Sequence, residues 1–150
     1  MIGLLLGLLI PSYSQAQQNA SPSLVVTGAD NLENYLSFCQ AVLNQSENAE
    51  INLLVLPFSM PSHPLQISTD EREIKLKAAE AARAEIEESC RQIVPDAQNY
   101  SVQLAPLLVR ADAEDEQLSG FFEGELDGIY LLAGDPQIAM QVIGDTPIQA

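Results

Sequence analysis

Basic residues are scarce in this sequence. Six Lys and Arg stand against 21 Asp and Glu in 150 residues, a net charge of −15. A chain so charged repels phosphate backbones, and nucleic acid is a poor partner for it. Histidine occurs once, as His63, in a loop bounded by prolines (PSHP), and cysteine twice, as Cys39 and Cys90. These residues offer no Cys/His cluster that would hold a metal, so no metal site is expected. No turn is rich enough in glycine to cradle a phosphate, which counts against nucleotide or flavin binding. No cofactor is expected. The leading apolar run, residues 2–10 (IGLLLGLLI), is too short to cross a bilayer as a helix.

That run does have the length of a signal-peptide core. Pro11 ends it, and Ser14-Gln15-Ala16 puts small residues at the −3 and −1 positions of a cleavage site. No Lys or Arg precedes it, which is atypical. Residues 1–16 are read as a signal peptide and residues 17–22 as a polar, disordered lead-in. The body of the protein is then residues 23–150, exported to the periplasm or the medium, with no stable membrane span once the signal is removed. An exported protein can join Cys39 to Cys90, but two buried free thiols fit the sequence equally well, because cysteine packs as a small hydrophobe.

Within residues 23–150, a 47% hydrophobic content supplies a core, and 18% charged residues is low for a globular chain. Residues 23–27 (SLVVT), 51–56 (INLLVL), 100–104 (YSVQL) and 128–132 (GIYLL) read as strands, the first, second and fourth as buried ones. Helical periodicity runs between them. Leu32, Tyr35, Leu36, Cys39, Val42 and Leu43 recur on one face after Asp30, which is placed to cap that helix. A long helix ending near Ile93 is expected to bury Ile74, Ala78, Ala82, Ile86, Cys90 and Ile93. Ser68-Thr69-Asp70-Glu71 at its start has the form of a capping box. A short helix is expected over residues 112–122 and another from Pro136 to Val142.

Apolar strands alternating with helices predict an α/β fold, three layers with a mostly parallel sheet between helices. Ligands bind such sheets beyond the carboxyl ends of the strands. That rule selects three turns: Thr27-Gly28-Ala29-Asp30, Pro57-Phe58-Ser59-Met60 and Ala133-Gly134-Asp135-Pro136.

The last of these carries a family resemblance. Residues 128–147 (GIYLLAGDPQIAMQVIGDTP) resemble the strand, turn and helix of cyanophycinases, in which an apolar strand leads into Gly-Gly-Asp-Gln, a helix and Thr-Pro. The opening strand with Gly28, the strand ending in Pro57-Phe58-Ser59 and the charged helix from Glu71 to Arg91 resemble that family in the same order, so the likeness covers residues 23–150. It implies a flavodoxin-like, class I glutamine amidotransferase-like fold and a serine exopeptidase acting on β-aspartyl-arginine or related short peptides. The partner would be a peptide, with arginine-rich substrates suited to the acidic surface, and the full-length protein could be a homodimer. The family's nucleophile lies in a Gly-Thr-Ser-Ala-Gly turn after the next strand, with a histidine further on. Both are expected beyond residue 150, so the chain would be the amino-terminal, catalytically incomplete part of the peptidase. By the same resemblance Gly134, Asp135 and Pro136 form the oxyanion and substrate-binding turn, and Gly28 and Ser59 lie in loops at the site edge.

Two positions depart from the pattern. Ala133 replaces the first glycine of the turn, and Pro136 replaces a substrate-contacting glutamine, supplying neither an N–H nor a polar side chain. Both substitutions leave a second reading open: a non-catalytic exported binding domain of the same fold.

Overall fold

Seven residues, Glu50–Leu56, form the strand β1 around which the other elements are arranged. In the computed structural model the described residues are 29–46, 50–93 and 99–146. The expected signal peptide, the lead-in, the strand over residues 23–27, and Gly28 lie outside them. The elements run α1 (Leu32–Gln45), β1, α2 (Thr69–Ile93), β2 (Asn99–Leu104), α3 (Arg110–Ala113), α4 (Glu116–Ser119), a 3-10 turn (Gly120–Phe122), β3 (Gly128–Leu131) and α5 (Pro136–Ile143).

The protein is mixed α/β, with a small parallel sheet ordered β2-β1-β3. β1 pairs with β2 from Glu50↔Asn99 to Val55↔Leu104, and with β3 from Leu53↔Gly128 to Leu56↔Leu131. A central strand flanked on both edges and covered on both faces must be apolar throughout, which is why Leu53, Leu54, Val55 and Leu56 are all buried. Alternation divides them. Ile51, Leu53 and Val55 join Tyr35, Phe38, Cys39, Ile86 and Cys90 from α1 and α2 in one core. Leu54 and Leu56 join Leu107, Ala113, Ala139 and Val142 in a second core on the opposite face. Each fully buried Leu or Ile contributes roughly 1.5–3 kcal/mol of transfer free energy.

β3 departs from the expectation of a wholly buried strand. Tyr130 and Leu132 are buried, whereas Ile129 and Leu131 are 49% and 42% exposed, because β3 ends the three-stranded ladder and only one of its faces is fully covered. The covering element is α1. Tyr35 and Phe38 meet the Tyr130 ring edge-on at centroid distances of 5.5 and 5.1 Å, a geometry worth roughly 0.5–1.5 kcal/mol per pair beyond burial.

The long helix α2 buries part of the expected stripe, Ile86 and Cys90, with Ala82 and Ile93 partly buried against the same core. Ala79, Ile86, Ser89 and Cys90 are buried, while Ile74 is 65% exposed and Ala78 is also exposed. At about 100° per residue, Ala79 lies about 20° from Ile86 around the helix axis, Ala78 about 80° and Ile74 about 120°. Once Ile86 faces the sheet, the other two cannot. The capping box is half made. Ser68 Oγ accepts from Glu71 N at 3.1 Å, but the Glu71 carboxylate turns to Ser62, taking its N–H at 2.7 Å and its hydroxyl at 2.9 Å. The Ser62 N–H, then its O–H, hold that carboxyl below the ordinary range.

The helix expected over residues 112–122 is broken into three short turns. Asp112 sets where the first of them starts, at Arg110. Its carboxylate accepts from Leu108 N and Val109 N at 2.9 and 3.0 Å and pairs with Arg72 at 2.5 Å, fixing the end of the β2–α3 loop. Asp115 then caps a new start by accepting from Gln117 N. At the sheet's far edge, Arg83 of α2 donates to the Val102 carbonyl of β2 at 3.2 Å while it is held by Glu80 and Glu87 at 2.7 and 2.6 Å.

The two cysteines are joined. Cys39 of α1 and Cys90 of α2 form a disulfide between Cα atoms 5.2 Å apart, closing a separation of 51 residues. By loop entropy alone a bond of this span stabilises by about 4 kcal/mol. Reducing it, or making the Cys39→Ala/Cys90→Ala double variant, is expected to lower the urea unfolding free energy by roughly 2–4 kcal/mol. An unchanged midpoint would show that the helix pair holds without the bond.

Candidate functional site

Two loops leave the carboxyl ends of β1 and β3, and the start of α1 meets them there. β1 runs into Pro57, Phe58 and Ser59, all buried. β3 runs into Leu132, Ala133, Gly134 and Asp135, and α5 begins at Pro136. Ser59 ties the first two loops together. Its hydroxyl donates to the Leu132 carbonyl, and its own carbonyl accepts from Asp135 N at 2.8 Å. Ser59 is thereby a buried clamp, 4% exposed, with its hydroxyl already used.

The closeness of that clamp explains the glycine at 134. A Cβ built there would fall 2.0 Å from Ser59 O and 3.0 Å from Met60 N, closer than any side chain tolerates, so only glycine lets the two backbones meet. Asp135 has both its groups engaged. Its N–H goes to Ser59, and its carboxylate accepts from Gln137 N at 2.8 Å as the cap of α5. Pro136 takes the first helical position, where a missing N–H costs nothing. Among the described residues Gly134 N–H meets no acceptor, so within the turn it is the amide that can face a ligand.

The third contributor is Asp30. Periodicity placed it as the cap of α1, but Asn31 has that role, accepting from Asn34 N at 3.0 Å. Asp30 instead reaches β3, where its carboxylate accepts from Ala133 N at 2.9 Å and lies 3.4 Å from the Tyr130 hydroxyl. The Asn34 side chain steadies this start by donating to Ala29 O at 2.5 Å. Partial burial raises the Asp30 carboxyl above its usual range, the Ala133 and Tyr130 bonds opposing and the Glu85 charge adding to the rise. Burial, then the charge of Asp30, likewise pushes the Tyr35 hydroxyl up.

All three turns selected from sequence are thus represented at one rim: residues 29–30, Ser59, and 133–136. Gly28 lies outside the described residues. His63 is exposed, apart from the rim's contacts, and its Nδ1 accepts from Leu65 N at 3.2 Å. Among the described residues no group of three His, Cys, Asp or Glu gathers as a metal set, and no helix is long and apolar enough to cross a membrane. Tyr130 and the docking role of Asp30 were not visible in the sequence, since both depend on contacts 100 and 103 residues apart.

The arrangement makes the rim sensitive to bulk at 134. Gly134→Ala is expected to lose roughly 1–3 kcal/mol of stability as Ser59 is forced away, read as a shifted urea midpoint, whereas Ala133→Gly should change it by less than about 1 kcal/mol. Equal effects at the two positions would show that the 134–59 approach is not the constraint. No family model, curated protein or solved structure matches this chain.

Proposed function

We propose that residues 23–150 are the amino-terminal part of an exported serine exopeptidase of the cyanophycinase type, on a flavodoxin-like, class I glutamine amidotransferase-like fold, hydrolysing β-aspartyl-arginine or related short peptides. The observation that carries this reading is the convergence of the Ser59 loop and the Gly134 turn at the carboxyl ends of adjacent parallel strands, where such sheets bind ligands. In this reading Gly134 N–H faces the developing oxyanion, Asp135 keeps the turn and α5 in register, and Pro136 borders the substrate. The nucleophilic serine and its histidine belong to chain following Ala150. The Cys39–Cys90 disulfide supports export, because such bonds persist in oxidising compartments. The net charge of −15 suits a cationic, arginine-containing peptide.

One observation favours the second reading, an exported binding domain without chemistry. Asp135 N–H, which the resemblance directs toward the oxyanion, already donates to Ser59 O.

Reading the gene past codon 150 separates the two. The peptidase reading expects an in-frame strand, a Gly-Thr-Ser-Ala-Gly turn and a later histidine. It also expects the full-length product to hydrolyse β-aspartyl-arginine, with the Ser→Ala variant of that turn losing on the order of 10³-fold or more in kcat. A frame that continues without that serine overturns the catalytic reading and leaves the binding domain.

A further inference from the structure

Two groups beside the rim are left with hydrogen-bonding capacity that the fold does not use. The first is the carboxylate of Asp30. Arg72 pairs with Asp112, Arg110 with Glu114, and Arg83 and Arg91 with glutamates of their own helix. All six Lys and Arg lie within the described residues, and none of them, Lys75 and Lys77 included, pairs with Asp30. Asp30 is exposed, and its carboxylate is met by two donors, the Ala133 N–H at 2.9 Å and the Tyr130 hydroxyl at 3.4 Å. Both bonds favour the charged form. They leave acceptor capacity over, since a carboxylate has about four lone-pair sites. The second group is the hydroxyl of Tyr35. Ser59, Ser89 and Thr146 are buried and donate to the carbonyls of Leu132, Glu85 and Ile143. Tyr35 is 2% exposed, yet among the described residues its hydroxyl has no hydrogen-bond partner. Its ring lies against that of Tyr130 at 5.5 Å, and its hydroxyl sits in the field of the Asp30 charge. A buried hydroxyl left unpaired is costly, and a fold that keeps one has a use for it.

We propose that Asp30 and Tyr35 recognise a primary ammonium group, that of a peptide's amino terminus, beside the Gly134 turn. The carboxylate supplies the opposing charge and the phenol oxygen a second acceptor. An ammonium is their complement, a compact cation with three N–H donors and no acceptor. A guanidinium fits less well. Its planar fork asks for both oxygens of a carboxylate, and each Asp30 oxygen already carries a donor, Ala133 on one and Tyr130 on the other. The place of the site selects the amino terminus. Asp30 holds the amide of Ala133, and the next amide, Gly134 N–H, is the one open to a ligand. An amino-terminal ammonium is separated from its own carbonyl carbon by a single Cα. A residue whose carbonyl accepts from Gly134 N–H therefore brings its own ammonium to Asp30, whereas a lysine ammonium on its flexible stem is not placed by that bond. The inference rests on the peptidase reading for the bond beyond that carbonyl, and deepens it: residues are released from the amino end. Binding of the cation itself needs no chemistry.

The test is titration of the oxidised 150-residue chain with glycinamide at about pH 6, where an amino terminus is charged, read by the 1H–15N shifts of Ala133 and Gly134. N-acetylglycinamide, Nα-acetyl-lysinamide and Nα-acetyl-argininamide are added in parallel at equal ionic strength. Glycinamide is expected to give a saturable shift, N-acetylglycinamide none, and the two blocked side-chain cations weaker ones. Asp30→Asn keeps a carbonyl for Ala133 without the charge and should weaken glycinamide binding roughly tenfold or more. Tyr35→Phe keeps the ring and removes only the unpaired oxygen. It should weaken binding severalfold while its urea midpoint stays no lower than that of the wild type. No saturable glycinamide shift, or equal binding of N-acetylglycinamide, overturns the cation site. Equal binding of the blocked lysine overturns the amino-terminal source, and tighter binding of the blocked arginine overturns the choice of ammonium. Unchanged affinity in Tyr35→Phe, or a lowered midpoint, shows a hydroxyl that serves only the fold and overturns its role. If Asp30→Asn fails to fold, the wild-type series and Tyr35→Phe decide. Glycinamide binding without hydrolysis by the full-length product leaves this site standing and removes the peptidase reading; hydrolysis indifferent to acetylation of the amino terminus does the reverse.

Discussion

β1 is buried on both faces and hydrogen-bonded along both edges, and this double burial determines where everything else can go. An apolar strand with β2 on one side and β3 on the other leaves no freedom of register, since a one-residue slip would exchange Leu53 and Val55 with Leu54 and Leu56 between two differently shaped cores. Because β1 and β3 are parallel, their chains emerge at the same end of the sheet. Ser59 and Gly134 are neighbours there for that reason, and their closeness needs no special feature beyond a glycine that lets two backbones touch. The rim is a consequence of the sheet.

The rim is also held from outside the sheet. α1 is fixed over β3 by Tyr35 and Phe38 against Tyr130, and over α2 by the disulfide. With the helix so placed, the two residues before it have little choice of position, and the Asp30 carboxylate arrives at the Ala133 amide. The turn is thus gripped on one side by the backbone of β1's exit loop and on the other by a side chain from α1's entry. These grips differ in chemistry. The first is neutral and independent of pH, and the second carries a titratable group.

Much of this was legible in the sequence because it is encoded locally. The apolar run over residues 51–56, the alternating YSVQL, Pro136 opening a helix and the turns chosen at strand ends all reflect chemistry within a few residues, and the parallel sheet follows from their alternation. What could not be read depends on distant partners. Which stripe of α2 faces inward is fixed by Ile86 against the sheet, so a periodic pattern that also admitted Ile74 and Ala78 was ambiguous by about 80–120° around the axis. The start of α3 at Arg110, two residues before the expected helix, follows from Asp112 finding two loop amides and Arg72, 40 residues away. The half exposure of Ile129 and Leu131 reflects β3's place at the end of the ladder, which the composition of the strand alone does not specify. Cysteines were equally consistent with thiols and a bond until α1 and α2 were seen side by side.

The two edges of the sheet are not equivalent. On β2 the Val102 carbonyl is already taken by Arg83, a guanidinium that is itself held between Glu80 and Glu87. A strand arriving on that side would have to displace an ion network before forming its first ladder bond. Among the described residues the margins of the sheet therefore differ in kind: β2 is closed by a charged latch, and β3 forms the other edge.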